Sequence, residues 1–160
     1  MHPRAQALVQ SLELVPHPEG GFYREVFRST QTVDPKDGRG PRSALTLIAF
    51  LVVEGRPSRW HRVLSDECWH WIEGASLELR VADPELERIT PIRLGAGEDA
   101  LPVHVVPASS WQAARALGPY ALVTCAVAPG FAFEDFTLLA DHEEARKGLV
   151  ARFPEDGGLL

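Results

Sequence analysis

Apolar and polar residues change rhythm several times along this chain. Near the start, Leu8, Leu12 and Val15 recur at i, i+4 and i+7, which predicts a short helix ended by Pro16 and Pro18. A strand-like run, FYREVFR at 22–28, follows. Strict alternation there sets Tyr23, Glu25 and Phe27 on one face and Arg24, Val26 and Arg28 on the other. Residues 31–42 (QTVDPKDGRGPR) are polar and rich in Gly and Pro, so they read as a loop within the domain, of a length suited to a pocket lid.

From residue 43 to 137 the texture is that of many short strands. Runs at 44–53, 60–64, 67–72, 77–82, 89–94, 103–106 and 120–128 are β-prone. Turn signals such as EGRP at 54–57, Ser65-Asp66, Asp83-Pro84 and GAGED at 95–99 separate them. This spacing predicts a sandwich or small barrel rather than βαβ units. Beyond residue 140, Asp141 and Glu144 are spaced as a helix-start box and Pro154 marks the end. The expectation is one mainly-β domain over residues 1–160 with short N- and C-terminal helices.

Composition adds exclusions. Hydrophobic residues are 45% and charged residues 24%, ordinary for a globular chain, and the formal charge is -6. No run of Lys or Arg stands out, which argues against nucleic acid and against anionic membrane surfaces as partners. Arg4, Gln6, Gln10 and Glu13 interrupt the N-terminal apolar residues, unlike a secretory signal, and the longest apolar run, 47–53, is too short to cross a bilayer. Cys68 and Cys125 sit inside apolar strands and read as buried, reduced thiols of a cytoplasmic protein.

The most informative segment is GRPSRWHRVLSDECWHWIEG at 55–74. Read as a hairpin turning at Ser65-Asp66, it sets His61 and Val63 on one face of the first strand and Glu67, Trp69 and Trp71 on one face of the second. If those faces coincide, a His and a Glu converge in a tryptophan-walled cavity. Such walls exclude water while the polar pair orients a small-molecule ligand. His70 falls opposite Glu67 and faces away unless a bulge re-aims it.

The spacing Gly55, His61, Val63, Glu67, Gly74 resembles the first cupin motif, with Val63 where a second metal-binding His usually stands. Pro107, Ser109 and Gln112 resemble the second motif, with Ser109 for its Gly and Gln112 for its ligand His, and with Leu101 where its opening Gly belongs. Four stretches are similar to the type 5 cupins, a branch of unknown function: HPEGGFYREVFRS at 17–29, SRWHRVLSDECWHWIEG at 58–74, VVPASSWQAA at 105–114 and VAPGFAFEDF at 127–136. The resemblance covers about residues 9–154. It implies a double-stranded β-helix (cupin jelly-roll) barrel, a homodimer, and kinship in shape with sugar-nucleotide epimerases and phosphosugar isomerases.

It also implies a candidate divalent transition metal held by His61, Glu67 and Gln112, a ligand set thinned by Val63 and by a neutral amide. The remaining candidate ligand contacts are Arg24, for a phosphate or carboxylate, and Trp69, Trp71, Gln112 and Phe131. Arg28 reads as a surface ion pair. Two functions follow. One is an isomerase or epimerase acting on a carbohydrate-derived substrate, with His61 and Glu67 as acid and base. The other is a non-catalytic metabolite-binding protein with a degenerate metal site.

Overall fold

The computed structural model describes residues 1–160. In chain order the elements are helix α1 (Pro3–Ser11), strands β1 (Val15–Pro16), β2 (Phe22–Arg28), β3 (Thr32–Val33), β4 (Arg42–Ser43), β5 (Thr46–Val53), β6 (Ser58–Val63) and β7 (Asp66–Gly74). They continue with β8 (Leu77–Ala82), β9 (Ile89–Leu94), β10 (Val103–Val106), β11 (Trp111–Ala116), β12 (Tyr120–Ala128), β13 (Phe136–Leu138) and helix α2 (Glu143–Arg152). Two antiparallel sheets carry the fold, a six-stranded one ordered β1-β2-β5-β12-β7-β10 and a five-stranded one ordered β13-β6-β11-β8-β9. They form a jelly-roll sandwich. The expected double-stranded β-helix is present, with the sheets left open at their edges instead of closing as a barrel.

Burial shows why β5 reads as an unbroken apolar run. Phe50 and Val52 point between the sheets with Trp69, Leu77, Leu79, Val123 and Cys125. Ala49, Leu51 and Val53 point outward and are covered by α1 through Ala5 and Leu8. A strand buried on both faces loses the alternation that a half-exposed strand keeps. The second sheet is covered in the same way: Trp60, Trp111 and Ala113 on its outer face pack under Leu149 of α2 and Leu159 of the C-terminal turns. The order of layers is helix, sheet, sheet, helix.

Several expectations need correction. The first helix stops at Ser11, because Glu13 takes a left-handed conformation at φ 52, and Val15 pairs with Tyr23 in β1 instead of continuing the helix. Asp141 lies in a 3-10 turn, and α2 starts after His142 with no side-chain cap, so the expected start box does not form. The 31–42 loop contains the small β3–β4 hairpin. Its arginines brace the chain: Arg42 forks onto Asp135 at 2.8 Å through both Nε and Nη2, and Arg39 Nη1 reaches Asp135 Oδ2 at 3.1 Å. Strand β11 was missed as an element because WQAARA is small and mixed, although its inward Ala114 and outward Ala113 are both fully buried. No helix is long and apolar enough to cross a membrane.

Candidate functional site

Between the sheets, at one end, lies a cavity of about 140 Å³. His61 and Val63 of β6 and Glu67 of β7 all line it; the two strands do not pair as the expected hairpin but lie in opposite sheets, so their inner faces meet across the cavity. Its remaining wall comes from Ile48 and Phe50 of β5, Cys125 and Val127 of β12, and the run Phe131, Ala132, Phe133 and Phe136. The aromatic walls are therefore phenylalanines and Tyr23 in place of the expected tryptophans. Trp69 is fully buried in the core behind the site, and Trp71 packs against that core and donates to the Ala75 carbonyl at 3.0 Å. Neither lines the cavity. The tryptophan density at 60–71 is core filling: Trp60 fills the outer layer and Trp69 the inner one.

Gln112 also lies behind the cavity wall and is fully buried. Its Oε1 accepts from the Trp69 indole N–H at 2.9 Å. An indole nitrogen can only donate, so this contact fixes which end of the amide is oxygen. Nε2 then faces forward, 3.0 Å from His61 Nε2 and 2.5 Å from Glu67 Oε2. The other His61 nitrogen, Nδ1, lies 2.7 Å from the Arg59 carbonyl, which accepts only. His61 therefore carries its proton on Nδ1 and presents a lone pair at Nε2. Burial lowers its proton affinity, against the opposing pull of Glu67, which keeps the ring neutral.

A second carboxyl stands at this floor, and sequence reading gave it no role. Glu19 is buried, with Oε2 3.2 Å from His61 Nε2 and 3.4 Å from His17 Nδ1, and Oε1 accepting from Ser58 Oγ at 2.8 Å. Burial pushes Glu19 up to about 8, despite the Ser58 hydrogen bond and Arg59. Protonation of Glu19 also relieves the repulsion of an ionised oxygen 3.2 Å from the His61 Nε2 lone pair, which already accepts from Gln112. Burial likewise raises Glu67 to about 7, and lowers His17 to about 4 with help from His61. The local cause of Glu19's position is Gly20. At φ 119, a Cβ on Gly20 would come 2.0 Å from the Pro57 carbonyl oxygen, so only glycine lets the N-terminal arm press against the start of β6. The Gly20-Gly21 pair was the available signal.

Arg28 keeps the surface ion pair expected of it and also reaches the cavity, where Arg24 does not. Arg24 is exposed and paired with Glu13 at 2.6 Å, outside the cavity. Arg28, read as a surface residue, lines the cavity, forks onto Glu25 at 2.9 and 2.7 Å, and donates to the Phe131 carbonyl at 3.1 Å. The reason is a β-bulge between Glu25 and Phe27, which resets the alternation so that Tyr23, Glu25 and Arg28 share the cavity side. Phe131 lines the cavity, and His70 is exposed on the far face of β7. The 31–42 loop contributes no lining residue. It holds the phenylalanine run in place through Asp135.

A metal at the position that the motif implies does not fit these residues. Gln112 turns its N–H2 toward His61 and Glu67, and reversing the amide would set that N–H2 against the Trp69 N–H. Val63 supplies no donor, and no group of three or more His, Cys, Asp or Glu side chains converges as metal ligands do. Gln112 thus fails as the third ligand, and its amide hydrogens tie the His and the carboxylate together.

Residues 6–139 match the family model described as "Cupin superfamily (DUF985)". Among solved structures, the chain is similar to a hypothetical protein from Leishmania major, at 32% identity and TM-score 0.82, with 97% of this chain and 96% of that one covered. A protein from Shewanella oneidensis is similar at 33% identity and TM-score 0.81, with 97% and 93% covered. Oxalate decarboxylase from Bacillus subtilis shares the fold at 17% identity and TM-score 0.59, over 87% of this chain and 34% of that one. No curated protein matches the chain.

Proposed function

The chain belongs to the cupin superfamily, in its DUF985 branch, and from that premise we propose a small-molecule enzyme that moves a proton on a carbohydrate-derived substrate, as an isomerase or epimerase does. One observation carries the reading: two buried carboxyls with raised proton affinity meet a neutral imidazole at the floor of an apolar cavity. Glu67, the lower of the two, is the base. It takes a proton from the carbon beside a substrate carbonyl. Glu19, protonated against the His61 lone pair, supplies a proton to the carbonyl oxygen, and His61 holds that acid in line. Return of the proton from Glu67 to carbon, as an enediol hydroxyl gives its proton back to Glu19 and re-forms a carbonyl, completes the isomerisation and restores both acids. Groups whose proton affinities lie near neutrality on either side of one substrate suit this work. Arg28 at the mouth favours a substrate bearing a carboxylate or phosphate.

The second reading, a metabolite-binding protein without turnover, is favoured by Val63 and by the locked amide of Gln112 where cupin metal ligands usually stand. A thermal-shift screen of sugar phosphates, acidic sugars and nucleotide sugars, followed by proton NMR of each hit in deuterated water, separates the two. Deuterium entering the ligand carbon, and lost in a folded Glu67→Gln variant, supports the enzyme. Ligands that bind without exchange at any carbon overturn it in favour of the second reading.

A further inference from the structure

His61 faces the cavity, and its neighbour Arg62 faces the opposite way, out of the second sheet. There a separate cleft of about 280 Å³ opens between the sheet and α2, walled by Trp111, Leu86 and Gly148. Arg62 forms its floor, with Cζ 4.6 Å from the centroid of the Trp111 ring. Its Nε–H is buried and has no acceptor. A buried donor on a charged group without a partner is costly, and a guanidinium held flat by stacking presents its remaining N–H groups in a fixed fork. Two carboxylates, Glu85 and Glu144, stand at the exposed rim, and neither forms an ion pair with Arg62. Arg152 and His142 line the same cleft, and Arg152 donates to the Leu86 carbonyl at 3.0 Å.

The helix is also built to leave this space open. Gly148 sits within α2 on the cleft wall, and a Cβ there would meet nothing within 4 Å. Glycine weakens a helix interior, so a position with room for a side chain and none present marks a space that is kept clear at a cost.

We propose that this cleft is a second ligand site, distinct from the cavity between the sheets, which takes a small oxyanion (a carboxylate or phosphate group) on the Arg62 guanidinium above Trp111. The sheet itself separates the two sites. The Arg62 Nη groups, which make no hydrogen bond or ion pair within the chain, are the donors that such an anion meets from the cleft.

The test follows the arginine Nε–H signals in proton–nitrogen NMR spectra of the full chain, with Arg62 assigned by its loss in Arg62→Gln. Inorganic phosphate and succinate are added separately, with sodium chloride at matched ionic strength as control. The expected result is a saturable shift of the Arg62 signal with one or both anions. Phosphate alone points to a phosphorylated ligand and succinate alone to a carboxylate one. Gly148→Leu, whose Cβ meets nothing within 4 Å and whose longer side chain takes up space at the cleft wall, should weaken binding by about tenfold or more. If that variant does not fold, Arg62→Gln with the Trp111 indole N–H as reporter serves in its place, and the shift at Trp111 should vanish. A response no larger than that to sodium chloride, or an affinity unchanged in these variants, would falsify the site.

Discussion

The Trp69 indole N–H lies 2.9 Å from Gln112 Oε1, and that single contact decides which end of a buried amide faces His61 and Glu67. A residue that lines no cavity thereby sets the hydrogen-bonding character of the site. Removing the donor while keeping an aromatic ring, as in Trp69→Phe, strands the amide oxygen in the core. The expected loss is about 1–3 kcal/mol in chemical denaturation, the cost of leaving a buried acceptor unmatched. A loss indistinguishable from zero would show that the amide orients without the indole.

The same geometry explains how a metal site would be restored. Val63→His with Gln112→His places imidazoles at the two ligand positions where the chain departs from the cupin motifs, beside His61 and Glu67. Titration calorimetry should then show one-to-one uptake of Mn²⁺ or Zn²⁺ by the double variant, at least about tenfold tighter than by the parent chain. Equal affinity in the two proteins would count against the locked-amide argument.

The buried acids give a specific dependence of stability on pH. Glu19, raised from 4.5 to about 8, and Glu67, raised to about 7, hold protons in the folded state that the unfolded chain releases. Their contribution is complete below pH 4.5 and is lost as pH climbs through 7 and 8. His17, lowered from 6.5 to about 4, and His61, also lowered, act in the opposite direction and lose stability as pH falls below 6.5. The opposing pairs should leave a plateau between 4.5 and 6.5 and a net decline from 6.5 to 8. Denaturation midpoints measured between about pH 5 and 9 check this. Glu19→Gln should make the decline shallower, and a parallel curve would contradict the assignment.

At the mouth, Arg28 is the one guanidinium among the lining residues, whereas Arg24 is exposed against Glu13. Arg28→Gln should weaken any phosphate- or carboxylate-bearing ligand of the cavity by about tenfold or more, the scale of one charged hydrogen bond. Arg24→Gln should leave that affinity unchanged. Calorimetry on acidic hits from the ligand screen reads both.

Where alternation was intact, the sequence could be read directly. Strands β8, β9, β10 and β12 lie where their apolar patterns place them, whereas the two strands of the His61–Glu67 segment, expected as a hairpin, cross between the sheets and meet face to face. Reading failed wherever a non-local contact or a local irregularity intervened. A single inserted residue near Val26 set Arg28, still exposed, on the cavity side of the strand, and no composition signal marks such a bulge. Glu19 reaches His61 across 42 positions of chain through the Gly20 contact with Pro57, a relation that alternation along one strand cannot express. The tryptophans misled because a large ring suits a core as well as it suits a pocket.

The N-terminal arm deserves to be counted as machinery and not as trim. Up to residue 21 it adds only the two-residue edge strand β1 to the sheets, yet it delivers both His17 and Glu19 to the floor of the cavity. A shortened chain that began at β2 would lose both the cover that Ala5, Leu8 and Leu14 give the outer face of β5 and the acid of the site. Affinity tags and fusion partners attached at this end therefore belong ahead of α1.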